Sequence, residues 1–156
     1  MFTMDEVEAL VAGAGMIEAW GGPALASHVR SAISKIALAL PKARREEVDR
    51  TRLFAPGFHI PQGAAAGLET LRQAIFERRK LRIEYIDSAQ RVSTRTLHPL
   101  ALYFWSATWS LAAWCESRND FRNFRLDRIR SLEIGAEKFE KSPGRGLEDF
   151  VKRATR

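Results

Sequence analysis

The hydrophobic positions of this chain change period part-way along it. Over residues 3–20, Val7, Leu10, Val11, Ala14 and Ile17 recur at the i, i+3, i+4, i+7 spacing of one buried helix face. Thr3 with Glu6 has the residue types of a capping box, in which two side chains satisfy two orphan N–H groups reciprocally. Gly21-Gly22 stops this helix, and Pro23 suits the first turn of the next. That second helix runs to about Leu40, with Leu25, Val29, Ile33, Ile36 and Leu40 on one stripe. Pro41 opens a short charged third segment, Lys42 to Arg50. Two amphipathic helices bury little alone, so this unit is expected to pack on the rest of the chain or on a second copy.

Residues 54–67 hold two prolines and three glycines and read as a linker. Leu68 to Arg79 returns to helix, with Leu68, Leu71 and Ile75 inward and Phe76 a further inward candidate. From Leu81 the period is 2: Leu81, Ile83 and Tyr85 alternate with Arg82 and Glu84. Asp87-Ser88-Ala89-Gln90 is a turn. Val92, Thr94, Thr96 and His98 then share one face, and Pro99 indicates a sheet edge or a bend. Leu100–Trp105 is apolar and aromatic. Trp109–Cys115, Phe121–Leu126 and Ser131–Ile134 read as further strands. Short, closely connected strands predict a small antiparallel barrel. A Pro-Gly turn at Ser142-Pro143-Gly144 precedes a last helix, Leu147 to about Ala154, expected to dock through Leu147, Phe150 and Val151. The fold class is α+β.

Length and charge sharpen this outline. The chain has 156 residues, enough to bury about two-thirds of its surface on folding. The net charge of +6 is unevenly placed: residues 1–66 carry seven basic and seven acidic residues, residues 67–156 carry 18 and 12. The whole excess lies in the strand-rich part. It fits either an anionic partner or a solvated surface. A single cysteine, Cys115, excludes an internal disulfide and a cysteine-rich metal site. His28, His59 and His98 lack metal-ligand spacing. The acidic N-terminus is unlike a signal peptide, and no apolar run reaches membrane-span length, so a cytoplasmic protein is expected.

Enzyme motifs are missing. There is no phosphate-binding P-loop, no Gly-x-Ser-x-Gly elbow and no His-Glu-x-x-His. Gly13-Ala14-Gly15 lies within a helix, not after a strand. Cys115 continues the apolar row Trp109, Leu111, Ala113 and reads as core. A non-enzyme without a cofactor is the expectation.

Two stretches stand out. In Thr108–Trp114, Trp109, Leu111 and Ala113 are expected to fill the interior. Ser110 and Ala112 lie beside Trp114, leaving room for a flat ligand or a neighbouring helix. In Phe121–Arg130, Arg122, Arg125, Arg128 and Arg130 interleave with Phe121 and Phe124. Regular strand geometry puts Arg122 and Arg125 on opposite faces, and a bend near Asp127 brings Arg125 and Arg128 together. Arginines with aromatics suit a nucleic-acid or nucleotide surface. The competing reading pairs Asp127 with one arginine and leaves the rest solvated. Arg95 and His98 stand on a preceding strand as further contributors.

The run from Leu71 to about Ile134 resembles a WYL domain, whose namesake tripeptide reads Trp109-Ser110-Leu111 here. Tyr85, Arg95-Thr-Leu-His98-Pro99 and Phe124-Arg-Leu-Asp-Arg-Ile129 carry the resemblance. Upstream, Phe2-Thr-Met-Asp-Glu-Val-Glu-Ala-Leu10, Ser34-Lys-Ile and Leu40-Pro41 resemble the middle region of YafY-like (DeoR-type) bacterial transcriptional regulators. The resemblance implies a helical linker and dimerisation region over 1–53 and a linker over 54–67. It also implies an SH3-like (Sm-like) β-barrel over 68–136 and an extension over 137–156. It implies a DNA-reading helix-turn-helix domain of about 60 residues preceding Met1, which would contact operator DNA. It implies a homodimer sensing single-stranded DNA or a nucleotide-like effector. By position, Arg122, Arg125 and Arg128 match the family's basic cluster and Trp109-Ser110 its tripeptide; with Arg95 and His98 assisting, these are the expected site residues. A stand-alone nucleic-acid-binding module and a dimerisation scaffold are the alternatives.

Overall fold

The computed structural model describes residues 2–48, 60 and 63–155. The chain divides into two compact units, Met1–Gln62 and Gly63–Arg156. The expected third helix beyond Val48, and most of the expected linker, lie outside the described residues.

The first unit holds α1 (Met4–Trp20), α2 (Gly22–Ala39) and α3 (Lys42–Val48). The capping box forms: Thr3 Oγ1 accepts the Glu6 N–H at 3.3 Å, and Glu6 Oε2 accepts the Thr3 N–H at 2.7 Å. Between α1 and α2 the chain passes so close to itself that only glycine fits. A Cβ on Gly21 would meet the Ile17 carbonyl oxygen at 2.6 Å. Val7, Ala26 and Leu40 are buried, and Arg30 pairs with Glu18 at 2.8 Å. Leu10, expected on the buried face of α1, is exposed, as are Met16 and Leu38.

The second unit holds α4 (Leu68–Glu77), β1 (Arg79–Ile86), β2 (Val92–Trp105), β3 (Thr108–Cys115), β4 (Asp120–Arg125), β5 (Ile129–Lys138) and α5 (Leu147–Ala154). Single 3₁₀ turns, Glu116–Arg118 and Leu126–Arg128, flank β4. Leu68, Leu71 and Ala74 bury one face of α4. Phe76 is 89% exposed, so it belongs to the opposite face and not to the core. Gly67, at φ +76°, starts the helix from a left-handed conformation that a side chain would strain.

The five strands pair antiparallel in the order β4-β3-β2-β1-β5. Among the described residues β4 and β5 form no ladder, so the sheet is open where a closed barrel was expected. It nevertheless curls. The Arg125 backbone N–H of β4 donates to the Tyr85 hydroxyl of β1 at 3.3 Å, across two intervening strands. The Tyr85 and Phe124 rings meet edge-to-face at 5.0 Å. The 3₁₀ turn after β4 then carries the chain to the far side of β1.

Strand β2 bends where Pro99 announced it. The register passes from Pro99↔Ala113 to Ala101↔Ala112, leaving Leu100 as the extra residue of a bulge. A two-residue turn with Ser106 and Ala107 at φ 48° and 60° joins β2 to β3. Both residues take the positive φ that lets a tight hairpin follow the strand twist.

Strand β3 is buried on both faces from Ser110 to Cys115. The inner face carries Leu111, Ala113 and Cys115 beside Leu81, Ile83 and Leu97. The outer face is covered as well. Trp114 meets Phe121 edge-on at 5.1 Å, Phe121 meets Phe150 of α5 at 5.8 Å, and the Arg145 guanidinium lies 4.9 Å over the indole. The slot expected beside Trp114 is thus filled by the chain's own C-terminal segment. Trp109, expected inside, is only half-buried and lies against Phe104 at 5.3 Å. Of the three residues expected to dock α5, Phe150 does so, while Leu147 and Val151 are exposed.

Candidate functional site

The curl of the sheet leaves a cleft of about 380 Å³ at the rim of its inner face. Three local features build it. The β1–β2 turn is tied by Asp87, whose Oδ1 accepts the Ala89 and Arg91 N–H groups and whose Oδ2 receives Arg91 Nε at 2.8 Å. Those bonds hold the Asp87 carboxyl below the usual carboxylate range, the Arg91 backbone contact first among them. The register Tyr85↔Ser93 and Ile83↔Arg95 then places Tyr85, Ser93 and Arg95 on one wall. The 3₁₀ turn after Cys115 brings Arg118 to the mouth, and β4 contributes Arg122, Asn123 and Phe124.

The charges of the cleft are unequally compensated. Arg95 is held by two neutral hydroxyls, Ser93 at 3.2 Å and Ser117 at 2.9 Å. Arg118 makes no hydrogen bond or ion pair among the described residues. Arg122 donates to Asp120 Oδ2 at 2.7 Å, but Arg153 of α5 also grips Asp120, so two guanidinium groups share one carboxylate. The Asp120 carboxyl lies below its ordinary value, with the Arg122 bond the largest cause. Cys115 forms part of the floor, its Sγ 3.4 Å from Ser117 Oγ.

The other arginines of the basic stretch are turned to structural work. Arg125 binds Asp127 through Nε–Oδ1 at 3.0 Å and Nη2–Oδ2 at 2.7 Å. The pair lowers the Asp127 carboxyl and raises the Arg125 guanidinium. Arg128 adds its field to the same carboxylate, and Arg130 lies 3.9 Å from Glu84. A bend does occur at Asp127, and it gathers Arg125 and Arg128 around that carboxylate.

His98 lies on the opposite face of β2 from Arg95 and outside the cleft. It stacks on Phe139 at 4.8 Å, and its Nε2 lies 2.8 Å from Glu116 Oε1. Glu116 also receives Lys80 Nζ at 2.8 Å, and Lys80 reaches Glu137 at 2.7 Å. These bonds, Lys80 first, lower the Glu116 carboxyl. Glu116 begins the turn whose next residues, Ser117 and Arg118, serve the cleft. His98 is thus linked to the cleft through its bond to Glu116 at the start of that turn.

Of the residues singled out in the sequence, the structure brings Arg95 and Arg122 together at the cleft. Trp109, Ser110, Arg125 and Arg128 line other ground: Ser110 is opposite Tyr103 and Arg125 in the register and buried. Arg118, Asn123, Ser93 and Asp87 join the cleft without any motif to announce them.

Residues 66–134 match the WYL domain. All nine residues lining the cleft fall within this WYL segment. Arg145, Phe150 and Arg153, which cover Trp114 and grip Asp120, fall beyond it. Among solved structures the chain is similar to proteasome accessory factor B/C (PafBC) of Arthrobacter aurescens, with 30% identity and a TM-score of 0.51. The similarity covers 94% of this chain and 22% of that one, so the chain spans about a fifth of that relative's length. No helix among the described residues is long and apolar enough to cross a membrane, and no group of His, Cys, Asp and Glu among them could hold a metal ion.

Proposed function

We propose that the WYL segment is the effector-sensing part of a transcriptional regulator. It binds an anionic ligand of nucleotide character, single-stranded DNA or a nucleotide-like molecule, in the arginine-lined cleft. Occupancy controls an attached DNA-binding domain. The observation that carries this reading is the pair Arg95 and Arg118, two guanidinium groups without a carboxylate partner among the described residues, lining a cleft walled by Tyr85 and Phe124. Guanidinium is the side-chain group best shaped for phosphate, and an aromatic wall suits a base. The volume falls in the range of small-ligand pockets. The WYL match and the similarity to PafBC support a regulatory sensing domain.

The finer parts of this reading are the YafY-like (DeoR-type) assignment, the boundaries at 54–67, the homodimer and the preceding helix-turn-helix. They rest on the family resemblance. The proposed site keeps Arg95 and Arg122 of the expected set, adds Arg118, and leaves out Arg125 and Arg128.

Calorimetric titration with short single-stranded DNA and with cyclic dinucleotides tests the proposal. One of the two binds saturably, and Arg95→Gln or Arg118→Gln weakens it about tenfold, the scale of one charged hydrogen bond. Binding of neither, or unchanged affinity in both variants, would overturn it. A second reading, a dimerisation module, draws on the exposed Leu10, Met16 and Leu38 of α1 and α2. A monomer in sedimentation at high concentration would count against it.

A further inference from the structure

We infer that the cleft selects a phosphomonoester over a phosphodiester. Its ligand is the doubly charged phosphate of a free nucleotide or of an oligonucleotide end, and not the singly charged link of a strand interior. This rests on the functional reading above and goes beyond it by naming the group that is recognised.

Charge is the first argument. Arg95 has only hydroxyl partners and Arg118 has none among the described residues. Arg122 shares the single charge of Asp120 with Arg153. Among the described residues lining the cleft the carboxylate is that of Asp87, which already pairs with Arg91 and accepts two backbone N–H groups. The cleft therefore presents at least two positive charges that no carboxylate among the described residues pairs with. A phosphodiester brings one negative charge. A phosphomonoester brings between about 1.5 and 2 at neutral pH, because its second ionisation lies near pH 6.

Space is the second argument. A volume of about 380 Å³ accommodates one phosphate with one nucleoside. A strand interior would have to enter and leave the same cleft, with a charged link on each side. The aromatic wall of Tyr85 and Phe124 suits a single base beside the phosphate.

The test uses the full chain and four probes: a single-stranded hexathymidylate with a 5′-phosphate, the same strand with a 5′-hydroxyl, thymidine 5′-monophosphate, and its 3′,5′-cyclic diester. The phosphorylated strand is expected to bind about tenfold tighter than the hydroxyl strand, or the monophosphate about tenfold tighter than the cyclic diester. The first preference identifies a strand end as the source, the second a free nucleotide. Whichever preference appears should grow between pH 5.5 and 7.5, as the second proton leaves the phosphate. Arg118→Gln should reduce it to less than about threefold, with circular dichroism reporting an intact fold. Equal affinities within both pairs would overturn the inference and leave the site reading standing. Binding of no probe, together with no binding of longer single strands, would overturn both.

Discussion

Arg125 and Asp127 are joined by two parallel hydrogen bonds, Nε to Oδ1 at 3.0 Å and Nη2 to Oδ2 at 2.7 Å. This pair sits at the centre of the most basic stretch of the chain. It converts a conspicuous arginine cluster into a clasp at the turn between β4 and β5. Asp127→Ala should leave Arg125 without its clasp. Both side chains are nearly half exposed, so water screens the pair and the stability loss should stay under about 1 kcal/mol in urea titration. Retention on heparin should increase, because a neutralised guanidinium becomes available.

The Arg118 side chain makes no hydrogen bond or ion pair among the described residues. Arg118→Gln should leave the unfolding midpoint unchanged, within about 0.5 kcal/mol. Leu111→Ala, in the fully buried centre of β3, should cost about 2–5 kcal/mol, because the cavity left behind cannot close against packing on both faces. Thermal or urea unfolding of the two variants side by side separates binding from stability.

Gly67→Ala tests the entry to α4. The residue has φ +76°, and a Cβ there would lie 3.0 Å from Leu132 Cδ2. The left-handed conformation should cost about 1–2 kcal/mol on its own. The Leu132 methyl is the free end of a side chain and gives way. A loss of that size in chemical denaturation is the expected result.

Acid should weaken the second unit. Asp87, Glu116, Asp120 and Asp127 all have carboxyls lowered in the folded chain by arginine, lysine or backbone partners. A lowered folded value means the unfolded chain takes up protons first. Stability from these groups is complete above the ordinary carboxylate range, about pH 4–4.5, and is lost as pH falls below it through the folded values. A flat stability profile from pH 7 to 5, followed by a decline toward pH 3, is expected in denaturant titrations. Asp127→Asn should make that decline shallower.

Much of the fold was legible because its signals are local. The Thr3–Glu6 box, the Gly21 stop, the change of period before β1 and the span of α5 each involve residues a few positions apart. The alternation in β3 marked Leu111 and Ala113 as inner and Trp114 as outer, but not that the outer face is buried, because α5 and Arg145, distant in sequence, cover it. Sheet closure was not legible either, since it depends on whether β4 and β5 meet after a 3₁₀ turn. The site was half legible. Arg95 and Arg122 could be named as basic residues near aromatics. Arg118 could not, because it stands alone in Glu116–Arg118 and acquires meaning only when the curl sets that turn beside Tyr85. The charge excess was rightly located in the strand-rich part. What a count cannot show is which arginines are already paired.

The most direct measurement is side-chain NMR of the arginine Nε–H groups during titration with a 5′-phosphorylated single strand. Arg95 and Arg118 should shift with saturation, and Arg122 with them. Arg125, held by Asp127, and Arg128 should stay in place. Shifts confined to Arg125 and Arg128, or none at Arg95 and Arg118 while the strand binds, would contradict the cleft as the site.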